Sequence, residues 1–218
     1  MHASAQSLTI KICGLSTPGT LAAALDAGAD WIGLVHFPRS PRHVGWDTAR
    51  ALSAQARGRA QRVVLLVDPD DAELDAALEA VDPDLVQLHG SESPERVSMI
   101  RARAGRPVMK ALGIGTAADL ARIPAYARAA DRLLLDAKAP AGASLPGGNG
   151  RAFDWDVLAG ADLPAGWMLS GGLTPETVAE ALARTGATAI DVSSGVESAP
   201  GVKEPARIAA FVAAARGR

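Results

Sequence analysis

The chain is poor in the features that mark secreted, nucleic-acid-binding or membrane proteins. It has one cysteine in 218 residues. One thiol forms neither an internal disulfide nor a thiolate metal site, so a reduced, cytoplasmic setting is expected. The formal net charge is only -2, which gives no electrostatic reason to expect nucleic acid or an anionic membrane as partner. No apolar run is long enough to span a bilayer. The opening residues MHASAQS (1–7) have neither the basic n-region nor the apolar h-region of a signal peptide, and are expected to form a short flexible tail. No GxGxxG follows the first apolar run, which weakens a dinucleotide-binding sheet. No break in composition marks a second domain, and no short-period repeat is visible.

What is present is a regular alternation. With 48% hydrophobic and 21% charged residues, the chain has enough apolar material for a full core. Short runs rich in Val, Ile and Leu lie at 8–13, 31–35, 62–67, 84–88, 107–112, 132–135, 167–170 and 188–192. They lack clean polar alternation, as strands covered on both faces of a parallel sheet do. Helical segments are predicted at 18–27, 46–57, 70–80, 94–104, 117–127, 154–158, 175–184 and 204–216. Several start with a first-turn proline after Ser or Thr, as in STP (16–18), SESP (91–94) and LTPE (173–176). Strictly alternating strands and helices predict an α/β fold, a single (β/α)8 TIM barrel over residues 8–218. An open doubly wound sheet is the competing architecture.

In such a barrel the chemistry gathers at the C-terminal ends of the strands. The first strand ends in Cys13, the second in HFPRSPRHV (36–44), the third in Asp68 and the fourth in QLHGSE (87–92). The fifth offers KALGIG from Lys110, and the sixth Asp136 and a long Gly- and Pro-rich loop. The seventh ends in SGGL (170–173) and the eighth in DVSSGVE (191–197). Glycines and serines after the last two strands, each followed by a helix start, form the usual phosphate-binding position of a barrel. Each is also a plain tight turn when taken alone. Arg39, Arg42 and His43 lie in one Pro-punctuated loop, where an arginine suits a carboxylate or phosphate. Asp136 ends an apolar strand, where loss of hydration favours the proton-bearing form of a general acid; a turn cap is the alternative. Cys13 is either a small buried hydrophobe or a base or nucleophile, its ordinary pKa being about 8.5. His89 lines the same rim as a candidate acid or base, and Asp68 reads as a cap or a pocket residue.

Seven blocks, taken in order, resemble the phosphoribosylanthranilate isomerase family of tryptophan biosynthesis: KICGL (11–15), GADWIGLVHFPRSPRHV (28–44), VQLHGSE (86–92), LLLDAK (133–138), GGNGRAFDW (147–155), LSGGLTPETV (169–178) and AIDVSSGVESAPGVKE (189–204). The resemblance covers nearly the whole chain. It implies a cofactor-free Amadori rearrangement of N-(5-phosphoribosyl)anthranilate, with a small phosphosugar-anthranilate as the substrate. It further implies Cys13 as general base, Asp136 as general acid and Arg42 as the binder of the anthranilate carboxylate. Gly171, Gly172, Asp191, Ser193, Ser194 and Gly195 fall in the phosphate-binding segments. Three positions depart from the family pattern: Asn149 where Thr is common, His36 where an apolar or aromatic residue is usual, and Glu204 where Asp is usual.

Three other readings compete. The related histidine-pathway isomerase uses carboxylates for both acid and base and holds two phosphates, but CGLS after the first strand is a poor match to SGGL. Indole-glycerol phosphate synthase needs an extra N-terminal segment and a lysine acid. A catalytically silent phosphosugar-binding barrel is opposed by the Cys13–Asp136 pair.

Overall fold

The computed structural model describes residues 8–139 and 154–217. Eight parallel strands close into a barrel in sequence order, β1 beside β8. They are β1 (Thr9–Cys13), β2 (Trp31–Val35), β3 (Gln61–Leu66), β4 (Leu85–Leu88), β5 (Val108–Ile114), β6 (Arg132–Ala137), β7 (Met168–Leu169) and β8 (Ala189–Val192). Around them lie α1 (Pro18–Ala27), α2 (Trp46–Ala56), α3 (Asp71–Val81), α4 (Pro94–Ala104), α5 (Ile123–Ala129), α6 (Val178–Thr185) and α7 (Pro205–Arg216). The doubly wound alternative is excluded by closure.

The helix starts follow from their caps. Thr17 and Ser93 accept from the backbone N–H three residues on, with Pro18 and Pro94 in the first turn. Asp70 caps α3 in the same way. Gly28 and Gly105 end α1 and α4 in the left-handed conformation.

Alternation along each strand sorts the side chains into two cores. Ile10, Ile12, Ile32, Leu34, Val64, Leu66, Val86, Leu88, Leu133, Leu135 and Ile190 point outward, under the helices. Trp31, Val63, Leu85, Met109, Ala111, Leu134, Met168 and Ala189 point inward and fill the lower barrel. Cys13, Val35 and Leu65 form a smaller apolar cluster above them, with Phe37 and Val67 packed on it. The same parity turns Lys11, Asp191, Gln87 and Asp136 into the barrel.

Several expectations are corrected. The fifth strand runs on to Ile114, so Lys110 is not at its end. With Met109 and Ala111 facing inward, Lys110 faces outward, over the Tyr126 ring of α5 and 2.8 Å from Glu92. The helix expected at 117–127 is divided into a 3-10 turn (Ala117–Arg122) and α5, which starts at Ile123 with Pro124 in its first turn. The helix expected at 154–158 is a 3-10 turn, Trp155–Leu158. The helix expected from Pro175 starts at Val178, because residues 174–177 form a turn in which the Thr174 N–H donates to Thr177 Oγ1. A two-stranded antiparallel ribbon, β9 (Glu197–Ala199) with β10 (Val202–Lys203), stands above β8 and was not anticipated. The tail 1–7 and the loop with Asn149 lie outside the described residues.

Candidate active site

The strand ends bring Cys13 and Asp136 to the inner rim of one barrel mouth. In the closed ring, β1 and β6 are separated by β8 and β7. Cys13 is 4% and Asp136 5% exposed, so both are drawn out of bulk water.

Cys13 pairs in register with Gly33 of β2. A Cβ at Gly33 would come within 2.8 Å of Cys13 Sγ and 3.2 Å of Lys11 Nζ, so glycine is needed there for space rather than for a turn. Lys11 sits two residues below Cys13 on the same strand face, fully buried, and its ammonium is bound by Asp191 at 2.7 Å. Asp191 also accepts from Ser170 Oγ at 3.1 Å. Its carboxylate thus points into the barrel rather than toward the glycine loops. Burial pushes the Cys13 thiol up; Lys11 and Lys203 pull it back, Asp191 adds to the rise, and the net shift is upward.

Arg42 is buried in the loop after β2, whereas Arg39 of that loop is exposed. Its Nε and Nη2 donate to the two oxygens of Glu197 at 2.7 and 2.9 Å, a forked pairing that fixes the guanidinium plane. Glu197 Oε1 also accepts from Lys203 at 2.6 Å. Burial opposes the charge on Glu197, but Arg42 and Lys203 outweigh it and hold its carboxyl below the usual range. Burial lowers Lys203 in spite of Glu197. His43 accepts from the Phe37 N–H at 3.1 Å and shapes the loop; burial lowers it. His36 stacks on Trp46 with ring centroids 3.4 Å apart, so this departure from the family pattern is a packing contact.

On the far side, Asp136 Oδ2 lies 3.2 Å from His89 Nε2, and Oδ1 accepts from the Ala137 N–H at 2.8 Å. His89 Nδ1 lies 3.0 Å from Gln87 Nε2. With that amide donating to Nδ1, the imidazole carries its proton on Nε2 and donates to Asp136. Gln87 Oε1 is buried with no partner among the described residues. An apolar side chain would avoid that penalty, so what the glutamine supplies here is its donor. Lys138 anchors the exit of β6 by a 2.6 Å pair with Asp119. Burial opposes the Asp119 charge, but Lys138 and the N–H groups of Gly115 and Thr116 outweigh it and hold its carboxyl at about 2. Asp68 caps the neighbouring loop by accepting from the Ser91 N–H at 2.7 Å.

The two glycine loops touch. A Cβ at Gly195 would overlap the Leu173 carbonyl, and one at Gly171 would overlap the Ala137 backbone. Gly171 and Gly172 both have positive φ, 90° and 67°. Ser193 accepts from Lys203 Nζ through its carbonyl and its hydroxyl, at 2.9 and 3.0 Å. Ser194 and Gly195 lie in the 3-10 turn Ser194–Val196 just beyond it.

Reading strand ends singled out none of Lys11, Glu197 and Lys203, although Glu197 closes the DVSSGVE segment. Lys11 lies one inward position below its strand end, where alternation from Cys13 would have found it. Glu197 and Lys203 belong to a ribbon too short to show periodicity.

Fold and site together define a (β/α)8 barrel that sets a thiol and a carboxyl at one mouth beside paired glycine loops. The family model for N-(5'phosphoribosyl)anthranilate (PRA) isomerase matches residues 10–214, and the chain belongs to that family. A relative from Azorhizobium caulinodans, named N-(5'-phosphoribosyl)anthranilate isomerase, is 60% identical over 210 residues, or 96% of this chain and 92% of its own. The crystal structure of phosphoribosyl anthranilate isomerase from Thermotoga maritima superposes with a TM-score of 0.86 at 33% identity, over 97% of this chain and 100% of that one. A crystal structure of such an isomerase in complex with reduced 1-(o-carboxyphenylamino)-1-deoxyribulose 5-phosphate has a TM-score of 0.84 at 31% identity, over 97% and 100%.

Proposed function

We propose that the protein isomerises N-(5-phosphoribosyl)anthranilate to 1-(2-carboxyphenylamino)-1-deoxyribulose 5-phosphate, a step of tryptophan biosynthesis, by acid–base catalysis without a cofactor. The observation that carries this reading is the placement of Cys13 and Asp136 at one barrel mouth, both buried and both turned inward. Asp136 donates a proton to the furanose ring oxygen. The C1′–O bond breaks, and the anthranilate nitrogen stabilises C1′ as a protonated Schiff base. The Cys13 thiolate then removes the C2′ proton. The C–H electrons form a C1′=C2′ bond and neutralise the iminium nitrogen, giving an enolamine. That enol tautomerises to the ketone by losing its hydroxyl proton and gaining one at C1′.

Arg42 holds the anthranilate carboxylate, its guanidinium oriented by Glu197. Gly171, Gly172, Ser193, Ser194 and Gly195 form the phosphate pocket, where the glycines allow backbone N–H groups to approach the anion. Asp191 acts behind this pocket, through Lys11 and Ser170, rather than as a phosphate ligand. Lys110 is turned away from the mouth, which disfavours the lysine-acid synthase reading.

The test is turnover of freshly made N-(5-phosphoribosyl)anthranilate, measured beside binding of the reduced product analogue. The expected outcome is saturable turnover together with analogue binding. Binding without turnover replaces this reading with a silent phosphosugar-binding barrel.

A further inference from the structure

We infer that Lys11 is a positioning residue for catalysis, whose buried ammonium, braced by Asp191, sustains the anionic form of Cys13. This rests on the reading of Cys13 as the base. The geometry is specific. Strand alternation puts Lys11 and Cys13 on one inner face, with Lys11 deeper. Lys11 Nζ and Cys13 Sγ both abut the gap left by Gly33 in the neighbouring strand. Lys11 is 0% exposed, and its ammonium pairs with Asp191 at 2.7 Å. A lysine that deep is costly unless its charge is used, and a structural pair alone would not need to abut the thiol.

The charged groups acting on the thiol come from three elements: Lys11 below it on β1, Asp191 on β8 and Lys203 on β10. Beyond them stand Arg42 and Glu197, which bind each other. From β2 and β3 the thiol meets apolar Val35 and Leu65. Burial disfavours a thiolate in this setting, and Lys11 is the strongest influence against that penalty. Asp191 has two opposed effects: it keeps Lys11 charged, and it repels the thiolate directly. Lys203 acts in the same direction as Lys11 but is committed to Glu197 and Ser193.

The chain has one cysteine, so its ionisation is readable without labelling. The experiment is a titration of thiolate absorbance near 240 nm on the full chain, with Cys13→Ser as the blank. Lys11→Met is expected to raise the midpoint by about one pH unit, a tenfold smaller thiolate fraction at fixed pH. Lys203→Met should shift it less. Because Lys11→Met leaves Asp191 buried without its cation, Lys11→Met/Asp191→Asn serves as a second variant with no unpaired charge. Its midpoint should also lie above that of wild type, by less than in the single variant. In turnover, kcat should fall more than KM rises, and the limb of the pH profile that follows the thiol should move with the absorbance midpoint. An unchanged midpoint in these folded variants, or a larger shift in Lys203→Met, overturns the inference. Full turnover by Cys13→Ala would instead overturn the base assignment and leave the titration result standing.

Discussion

Around Cys13 the barrel mouth is crowded with full charges, whereas around Asp136 the described residues are amide, imidazole and backbone N–H groups. On the first side Lys11, Asp191, Lys203, Glu197 and Arg42 form two buried ion-pair clusters. On the second, Gln87, His89 and the Ala137 N–H hold the carboxyl through hydrogen bonds. Under the proposed assignment, with Cys13 as base and Asp136 as acid, the contrast has a chemical reading. A base must be carried as an anion in a buried place, so cations are set near it. An acid must deliver a proton, and a lysine or arginine in direct contact would favour the spent carboxylate. The same pleat thus exposes both strand ends, one among ion pairs and the other among neutral hydrogen-bonding groups.

The comparison is broken most severely at Gly33. Gly33→Ala places a methyl against Cys13 Sγ and Lys11 Nζ together. Turnover is expected to fall on the order of a hundredfold, as a displaced reacting group causes, with circular dichroism unchanged. Activity within a factor of two would show that the thiol is not held as described.

On the opposite side, Gln87→Leu removes the donor that sets the His89 tautomer. A loss of about tenfold in kcat is expected, since the proton-transfer group is kept but loses its orientation. His89→Ala should lose at least as much. An unaffected Gln87→Leu would mean that Asp136 works without the chain behind it.

Glu197→Gln weakens the hold on Arg42 while leaving Cys13 and Asp136 in place. Steady-state kinetics should show KM raised several-fold, by loss of a charge-assisted pair, with kcat changed little. A fall confined to kcat would assign Glu197 to the chemistry instead.

The smallest effect concerns stability. Asp119 is held at about 2 in the fold against 3.8 in its absence. Its folded value is the lower one, so its contribution is full above the unfolded value and is lost as pH falls through the folded one. Asp119→Asn should unfold more easily at neutral pH in urea, and its stability should lose part of its dependence between those two values. Equal urea midpoints at pH 7 would show that the Lys138–Asp119 anchor contributes nothing.

Much of this was legible in the sequence, for identifiable reasons. The eight strand positions stood out because residues such as Ile10, Ile12, Leu133 and Leu135 are covered from outside while their neighbours are covered from within. Helix starts at Pro18 and Pro94 were exact because cap and proline act locally. Cys13, Arg42 and Asp136 were singled out as candidates because a barrel makes strand ends meaningful. Lys11 was overlooked because a lysine inside a barrel contradicts simple patterning; its partner Asp191 is distant in sequence and adjacent only after closure. The Glu197–Lys203 ribbon depends on Arg42, 155 residues from Glu197, and no local signal reports such a contact.

The central claim is that Cys13 and Asp136 divide base and acid work across one site. It is tested most directly by turnover of N-(5-phosphoribosyl)anthranilate in Cys13→Ser and Asp136→Asn, with analogue binding measured on the same samples. Both variants should lose on the order of a hundredfold or more in kcat and still bind the reduced product analogue. A Cys13→Ser or Asp136→Asn enzyme that turns over near the wild-type rate would contradict the account.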